Sequence, residues 1–384
     1  MKNGDEMNLQ KFMRAVAIAI LSVIAATLLL IIGYVAYVAL QYYRIPDKLQ
    51  LEITNNRESA VRTEVEYTVV SYNLGFGAYS PEYTFFMDTG VMNDGTEVVG
   101  TYAKGMNKAD VQKNVTGQMT VSKQLDADFY FFQEADRPSD RSYNIDMVAN
   151  AQNAFAEYGS TYAQNFHTAR LYYPFNDPIG TIDAGLVTLS RYKMDSAVRR
   201  SFPITDAFID KLFDLDRCFA VHYLPIEGSD KKLTLFDLHM SAYDEGGTIR
   251  AKQLEMLNAV LKEERDNGNY VIAGGDFNHC LIADEFETDE LAFKHFKSEQ
   301  QTPDWVKSSV LHKRELTSGY SIAASKEVST CRGADIPYTE GVNFCTVIDG
   351  FIVSDNIKII DEQTVDTQYA YSDHNPVIMT FALN

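Results

Sequence analysis

Val271-Ile272-Ala273-Gly274-Gly275-Asp276-Phe277-Asn278 starts as an apolar, partly β-branched run and ends in two glycines, a carboxylate and an amide. The run is apolar at successive positions, as in strands buried on both faces, so a central strand is expected over 270–273. The glycines let the backbone turn sharply, and strand alternation would aim Asp276 and Asn278 the same way. A carboxylate beside an amide suits phosphate chemistry. The acid can orient an attacking water or touch a metal, and the amide can donate to a phosphoryl oxygen.

Working outward, similar β-branched and aromatic runs occur at 65–74, 129–133, 184–189, 218–223, 233–238, 347–353 and 377–381. Helical patterns lie between them at 108–125, 145–158 and 248–265, the last carrying Leu254, Leu257, Val260 and Leu261 on one stripe. The class is layered α/β, without internal repeats, and a single domain over 65–384 is expected.

Polar residues recur where these runs end, which is where open α/β sheets place ligands. The first run delivers Asn73 to a loop containing Gly75 and Gly77; Asn73 could offer its carbonyl oxygen to a metal or cap a turn. The run at 129–133 ends in Gln133-Glu134. A carboxylate there needs a cation, either a divalent ion or Arg137 or Arg141. The run at 233–238 leads into His239-Met240-Ser241, and Ser372-Asp373-His374-Asn375-Pro376 precedes the last strand. Asp373 adjoining His374 is read as an Asp–His pair that fixes the imidazole tautomer and raises its basicity.

This order resembles the endonuclease/exonuclease/phosphatase superfamily: Asn, then Gln-Glu, His-x-Ser, Gly-Asp-x-Asn and Ser-Asp-His-Asn-Pro. Gly275-Asp276-Phe277-Asn278 and the Ser372–Val377 motif carry the resemblance most specifically, and it spans nearly everything after Val65. It implies a DNase I-like, four-layer sandwich of two mixed β-sheets flanked by helices. It also implies phosphoester hydrolysis with magnesium, or manganese or calcium in its place. On matching positions Glu134 would be the principal metal ligand, with Asn73 close by and Asp373 or Asp276 completing a site. Asp276 and His374 would activate water, Asn278 would hold the phosphoryl group, and His239 would stabilise developing charge. The setting of His239 looks closer to the neutral sphingomyelinase, inositol-phosphatase and DNase I-like branches than to abasic-site endonucleases. Arg170, in the stretch after His167, is a candidate phosphate contact, with structural pairing to an acid as the alternative.

Residues 15–40, AVAIAILSVIAATLLLIIGYVAYVAL, contain no charge and are long enough to span a bilayer. The run exceeds a signal-peptide h-region and ends in tyrosines without a small-residue cleavage site, so an uncleaved anchor is expected over 15–43. Residues 1–14 then form a short tail and 44–64, with mixed charges and Pro46, a stalk. Lys2, Lys11 and Arg14 precede the span and Arg44 and Lys48 follow it; a short tail before one anchor favours a single-pass cell-membrane protein with its domain outside.

The net charge of −19 opposes attraction to a polyanion and favours a lipid or small phosphodiester over duplex DNA. An extracellular nuclease is the rival enzyme, and a catalytically inactive binding module the rival from another class. Cys218, Cys280, Cys331 and Cys345 show no zinc or redox spacing; Cys331 and Cys345 could close a loop or remain thiols. Residues 286–330 carry the single tryptophan, Trp305, without clear periodicity, and read as an insertion that shapes substrate access.

Overall fold

The computed structural model describes residues 2–205, 215–242 and 247–384. The chain divides into two units, Met1–Tyr43 and Arg44–Asn384. The first is one helix, α1 (Lys2–Gln41), whose Leu9–Gln41 stretch of 33 residues is long and apolar enough to cross a membrane, with a mean hydropathy of 3.0 in its most apolar window.

The second unit contains two large mixed sheets. The first holds seven strands in the order β1 (Leu49–Gln50), β8 (Ser196–Ser201), β9 (Cys218–Pro225), β10 (Lys232–His239), β11 (Tyr270–Asp276), β15 (Asp349–Ser354) and β12 (Tyr320–Ala323). The second holds six, in the order β16 (Ile357–Thr364), β17 (Val377–Leu383), β2 (Glu66–Asn73), β5 (Phe129–Asp136), β7 (Asp183–Ser190) and β6 (Gly159–His167). Two short ladders complete the strand set, β3 (Thr89–Val91) with β4 (Glu97–Val99), and β13 (Cys331–Arg332) with β14 (Cys345–Thr346). Among the strands of the described residues, β2–β5 and β10–β11 pair in parallel, joined by crossovers through α2 (Lys108–Leu125) and α4 (Thr248–Asp266); α3 (Met147–Ala154) follows β5.

The inner faces share one apolar core that includes Val69, Phe129, Phe131, Leu235, Ile272, Phe351 and Phe381. Each such side chain contributes about 1.5–3 kcal/mol of transfer free energy when fully buried. Outside the six-stranded sheet, Val70, Tyr130 and Phe132 meet Val111 and Val115 of α2 and Val148 of α3. Outside the seven-stranded sheet, Phe236 and Val271 meet Leu257 and Leu261 of α4. Strands covered on both faces explain the continuous apolar runs, and the layers are those of the expected sandwich.

Two sequence expectations change. Residues 44–64 are not a bare stalk, because their backbone is paired with the domain. Leu49 lies opposite Arg199 on the sheet edge, Ile45 N–H donates to Asp216 at 2.7 Å, and Thr54 and Ser160 exchange two backbone hydrogen bonds of 2.9 Å. Val61 is fully buried in the inter-sheet core. The segment looked like a stalk because an edge needs few apolar residues. Residues 286–330 pack onto the seven-stranded sheet and supply its edge strand β12: Phe293, Val306, Leu311 and Leu316 are buried against the sheet, with Trp305 packed beside them. All four cysteines are free thiols; Cys331 lies opposite Thr346 and Cys345 opposite Arg332.

Candidate active site

The ladder directions gather the chemistry at one end of the sandwich. β2 and β5 run parallel, and their ladder ends in the pair Asn73 and Gln133, with Glu134 next on β5, while β10 and β11 run parallel and end in the register pair His239 and Asp276. β15 and β17 run antiparallel to these neighbours, so their beginnings arrive at the same end, bringing Asp349 opposite Asp276 and the Ser372–Asn375 loop beside β2. Gln118 of α2 secures two of these loops by donating to the carbonyl of Leu74 at 2.7 Å and that of Tyr371 at 2.8 Å.

Asp276 is the hub. Its Oδ2 accepts from Asn73 Nδ2 at 3.1 Å, and lies 3.3 Å from His239 Nε2 and 3.9 Å from His374 Nε2. Its Oδ1 accepts the Asn278 N–H at 2.8 Å. Burial, then the neighbouring Asp349 charge, push its pKa up to about 7. Gly275 makes this position reachable: its φ is +148°, and a Cβ there would lie 2.0 Å from the Leu238 carbonyl oxygen.

His374 Nδ1 donates to Asp349 Oδ2 at 2.8 Å, which turns Nε2 toward Asp276. Burial lowers the imidazole pKa, but the Asp349 charge and other neighbours outweigh it and raise the pKa well above the ordinary value. His239 behaves oppositely, since burial and nearby Arg217 hold its pKa well below the ordinary value. Its Nδ1 is buried without a hydrogen-bond partner among the described residues.

Glu134 has φ +52° and sits where two residues of β5 oppose one of β7, between the pairs Phe132–Val187 and Ala135–Gly185. This bulge takes the carboxylate out of strand alternation. Its Oε1 accepts from Asn73 Nδ2 at 3.3 Å and lies 4.0 Å from His239 Nε2, and its side chain keeps 25% exposure. Among the described residues it pairs with neither arginine named above. Arg141 is a fork on buried Asp136 at 2.7 Å, and Arg137 stacks on Tyr162 at 4.0 Å. Asp373 lies near Gly75, where a Cβ would be 2.8 Å from its Oδ1, and burial pushes its pKa up to about 6.

The structure therefore gathers Asn73, Glu134, His239, Asp276, Asn278, Asp373 and His374, and it corrects several details. The acid hydrogen-bonded to His374 is Asp349, not Asp373, which stands in the bend before His374 and lies against Gly75. Sequence reasoning missed Asp349, which stands inside the apolar run at 347–353. Its role shows once β15 is seen to run antiparallel to β11, so that its first residue meets Asp276. Asn73 uses its carbonyl oxygen to accept the Gly75 N–H at 2.9 Å, which is the turn-capping role. Asn278 does not continue an alternating strand; its φ is +51° in a turn held by Asp276, and its Nδ2 donates to the Met240 carbonyl at 2.9 Å. Arg170 is bound to Asp140 at 3.0 Å, the structural pairing weighed above.

Comparisons with known proteins agree with this architecture. The structure of an endonuclease/exonuclease/phosphatase from Beutenbergia cavernae DSM 12333 superposes with a TM-score of 0.52 at 13% identity, covering 83% of this chain and 72% of that one. ANGEL2, described as a 2′,3′-cyclic phosphatase, superposes with a TM-score of 0.51 at 14% identity, covering 87% of this chain and 98% of its own. At these identities the superpositions show a shared fold and nothing further. No curated protein matches the sequence. The sequence model of the Endonuclease/Exonuclease/phosphatase family matches residues 70–374, from the strand that delivers Asn73 to the histidine facing Asp276. That match covers most of the chain, so the chain belongs to the endonuclease/exonuclease/phosphatase family.

Proposed function

We propose that this family hydrolase is a divalent-metal-dependent phosphoesterase, held at a cell membrane by α1 with its domain outside, acting on a phospholipid or small phosphodiester. The observation that carries the chemistry is the convergence of Asn73, His239 and His374 on Asp276 Oδ2, beside the partly exposed carboxylate of Glu134. The donor set fits a hard cation. Glu134, Asp276, Asp349 and Asp373 share one region, and among the described residues no lysine or arginine forms an ion pair with any of them. Glu134 would hold the ion, with Asp373 alongside, while Asn73 positions Glu134 and Asp276 by donating to both from Nδ2. Asp276, Asp349 and His374 also offer donor atoms within 4.8 Å of one another. The His374–Asp349 hydrogen bond makes that trio an oriented imidazole next to an acid, a better fit to proton handling than to ligation.

When bound, the cation would polarise the phosphoryl group and offset its charge. Asp276, with its raised pKa, accepts the proton of a water whose oxygen bonds to phosphorus as the P–O bond to the leaving group breaks, and the leaving oxygen takes a proton from solvent. His374, charged through Asp349, donates from Nε2 to a phosphoryl oxygen, and neutral His239 donates beside it. Asn278 keeps Asp276 aimed through its N–H. This assigns proton abstraction to Asp276 alone and makes His374 a donor, not a base.

A lipid or small diester is favoured over nucleic acid by the net charge of −19 and the apolar helix on the same chain. The test is turnover by the full chain in proteoliposomes of sphingomyelin, phosphatidylinositol phosphates, plasmid DNA and bis-p-nitrophenyl phosphate, with and without magnesium, beside Asp276→Ala/His374→Ala. Magnesium-dependent turnover of a lipid or small diester, abolished in the double variant, is expected. Turnover of DNA alone would make it a nuclease, and no turnover without magnesium binding would make it a binding module.

A further inference from the structure

Loop 168–182, between β6 and β7, leaves the six-stranded sheet at the end that carries Glu134, since β7 begins beside the end of β5. The loop is fastened at its base. Leu171 and Gly180 exchange backbone hydrogen bonds of 3.0 and 3.1 Å, Arg170 pairs with Asp140 and Asp177 pairs with Lys104 at 2.8 Å. Its tip nevertheless presents large apolar rings to solvent, with Phe175 88% and Tyr173 65% exposed. Met87, at 53% exposure, follows Phe86, whose ring lies 5.9 Å from that of Tyr173. From Phe86 the rings continue inward through Phe85, 5.1 Å away, to Tyr79 at 6.3 Å, and Tyr79 packs against the Gly75 turn next to Asp373. An apolar rim therefore stands on one side of the candidate active site, connected to its wall.

A secured loop that holds a phenylalanine almost wholly in water needs an occupant for that surface. We propose that Phe86, Met87, Tyr173 and Phe175 form a lipid-docking rim that seats the active-site end of the domain on the bilayer surface. The proposal rests on the reading of the chain as a membrane-held phosphoesterase. The occupant is a lipid surface because the chain carries its own membrane-length apolar helix, and the domain's first pairings, from Arg44 and Ile45 to Asp216, follow directly after Tyr43. Tyrosine and phenylalanine also suit the headgroup boundary, where a ring is buried and a hydroxyl stays wet. With 53 acidic against 34 basic residues, insertion of rings and not charge must supply the contact.

The experiment uses the full chain in proteoliposomes of phosphatidylcholine and sphingomyelin, with brominated lipid as a fluorescence quencher. Phe175→Trp adds one reporter to Trp305, whose signal in the unsubstituted chain is subtracted. The expected result is blue-shifted, bromine-quenched emission from the added indole; emission as in water, without quenching, overturns the rim. In parallel, Tyr173→Ser/Phe175→Ser should lower turnover of bilayer phospholipid on the order of tenfold while leaving hydrolysis of bis-p-nitrophenyl phosphate unchanged. Equal loss on both substrates overturns the proposal, as does conversion of a detergent-solubilised dimer to a monomer, which would make the face a self-association surface. Quenching is read without turnover, so failure of the enzyme assignment, seen as no hydrolysis of either substrate, is distinguishable from failure of the rim.

Discussion

At the residue scale the candidate site depends on which acid faces which imidazole. Asp349 accepts from His374 Nδ1, and the register pair of Asp349 with Asp276 holds both acids near that ring. Asp349→Asn keeps an acceptor but removes the charge that sustains the imidazolium. We expect kcat on a soluble diester to fall on the order of a hundredfold with the thermal transition nearly unchanged. An unaltered kcat would remove the His374–Asp349 pair from the chemistry. Asp276, Glu134, His239 and His374 were legible as candidates because each stands at or near the end of an apolar run. Asp349 was not, because a carboxylate within such a run shows its destination only when the direction of its strand is known.

At the element scale, two positions show how the strands are set. Gly275 lets β11 approach β10, where any side chain would meet the Leu238 carbonyl. Gly275→Ala should cost roughly 3 kcal/mol in chemical denaturation, from backbone strain and overpacking, and should displace Asp276 enough to lower activity. Glu362 on the edge strand β16 has a buried Oε1 without a partner, and burial, aided by Asp361, pushes its pKa up to about 7. A carboxyl whose folded pKa lies above its unfolded value of 4.5 destabilises the fold as pH rises through that interval, and the cost levels off above about 7. Glu362→Gln should therefore leave stability at pH 4 nearly unchanged and add about 1 kcal/mol at pH 8, allowing for solvent screening at this partly exposed position. Melting curves at the two pH values check this, and an equal gain at both would discount the titration. The bulge at Glu134 belongs to this scale too, since it arises from the pairing of β5 with β7, and neither strand alone announces it.

At the scale of the whole molecule, the two sheets are joined by a buried polar contact as well as by the apolar core. Asp237 of β10 accepts from Gln133 Nε2 of β5 at 2.8 Å and from Thr188 Oγ1 of β7 at 3.0 Å, and burial raises its pKa well above the carboxylate range. Asp237→Ala would leave two donors unpaired between the sheets, at a cost of about 2–4 kcal/mol by denaturant titration, whereas Asp237→Asn should cost less than half of that. The layers, the approximate strands and helices, the membrane-length helix and most of the candidate site followed from local information. Runs of apolar residues must be covered on both faces, and a polar residue ending such a run has few places to go. The packed role of 44–64, the packing of 286–330 onto the sheet it extends, the partner of His374 and the gathering of exposed rings from two separate segments all depend on which strands become neighbours and in which direction they run. Those are long-range pairings, set by the closing of the two sheets upon one core, and no window of sequence contains them.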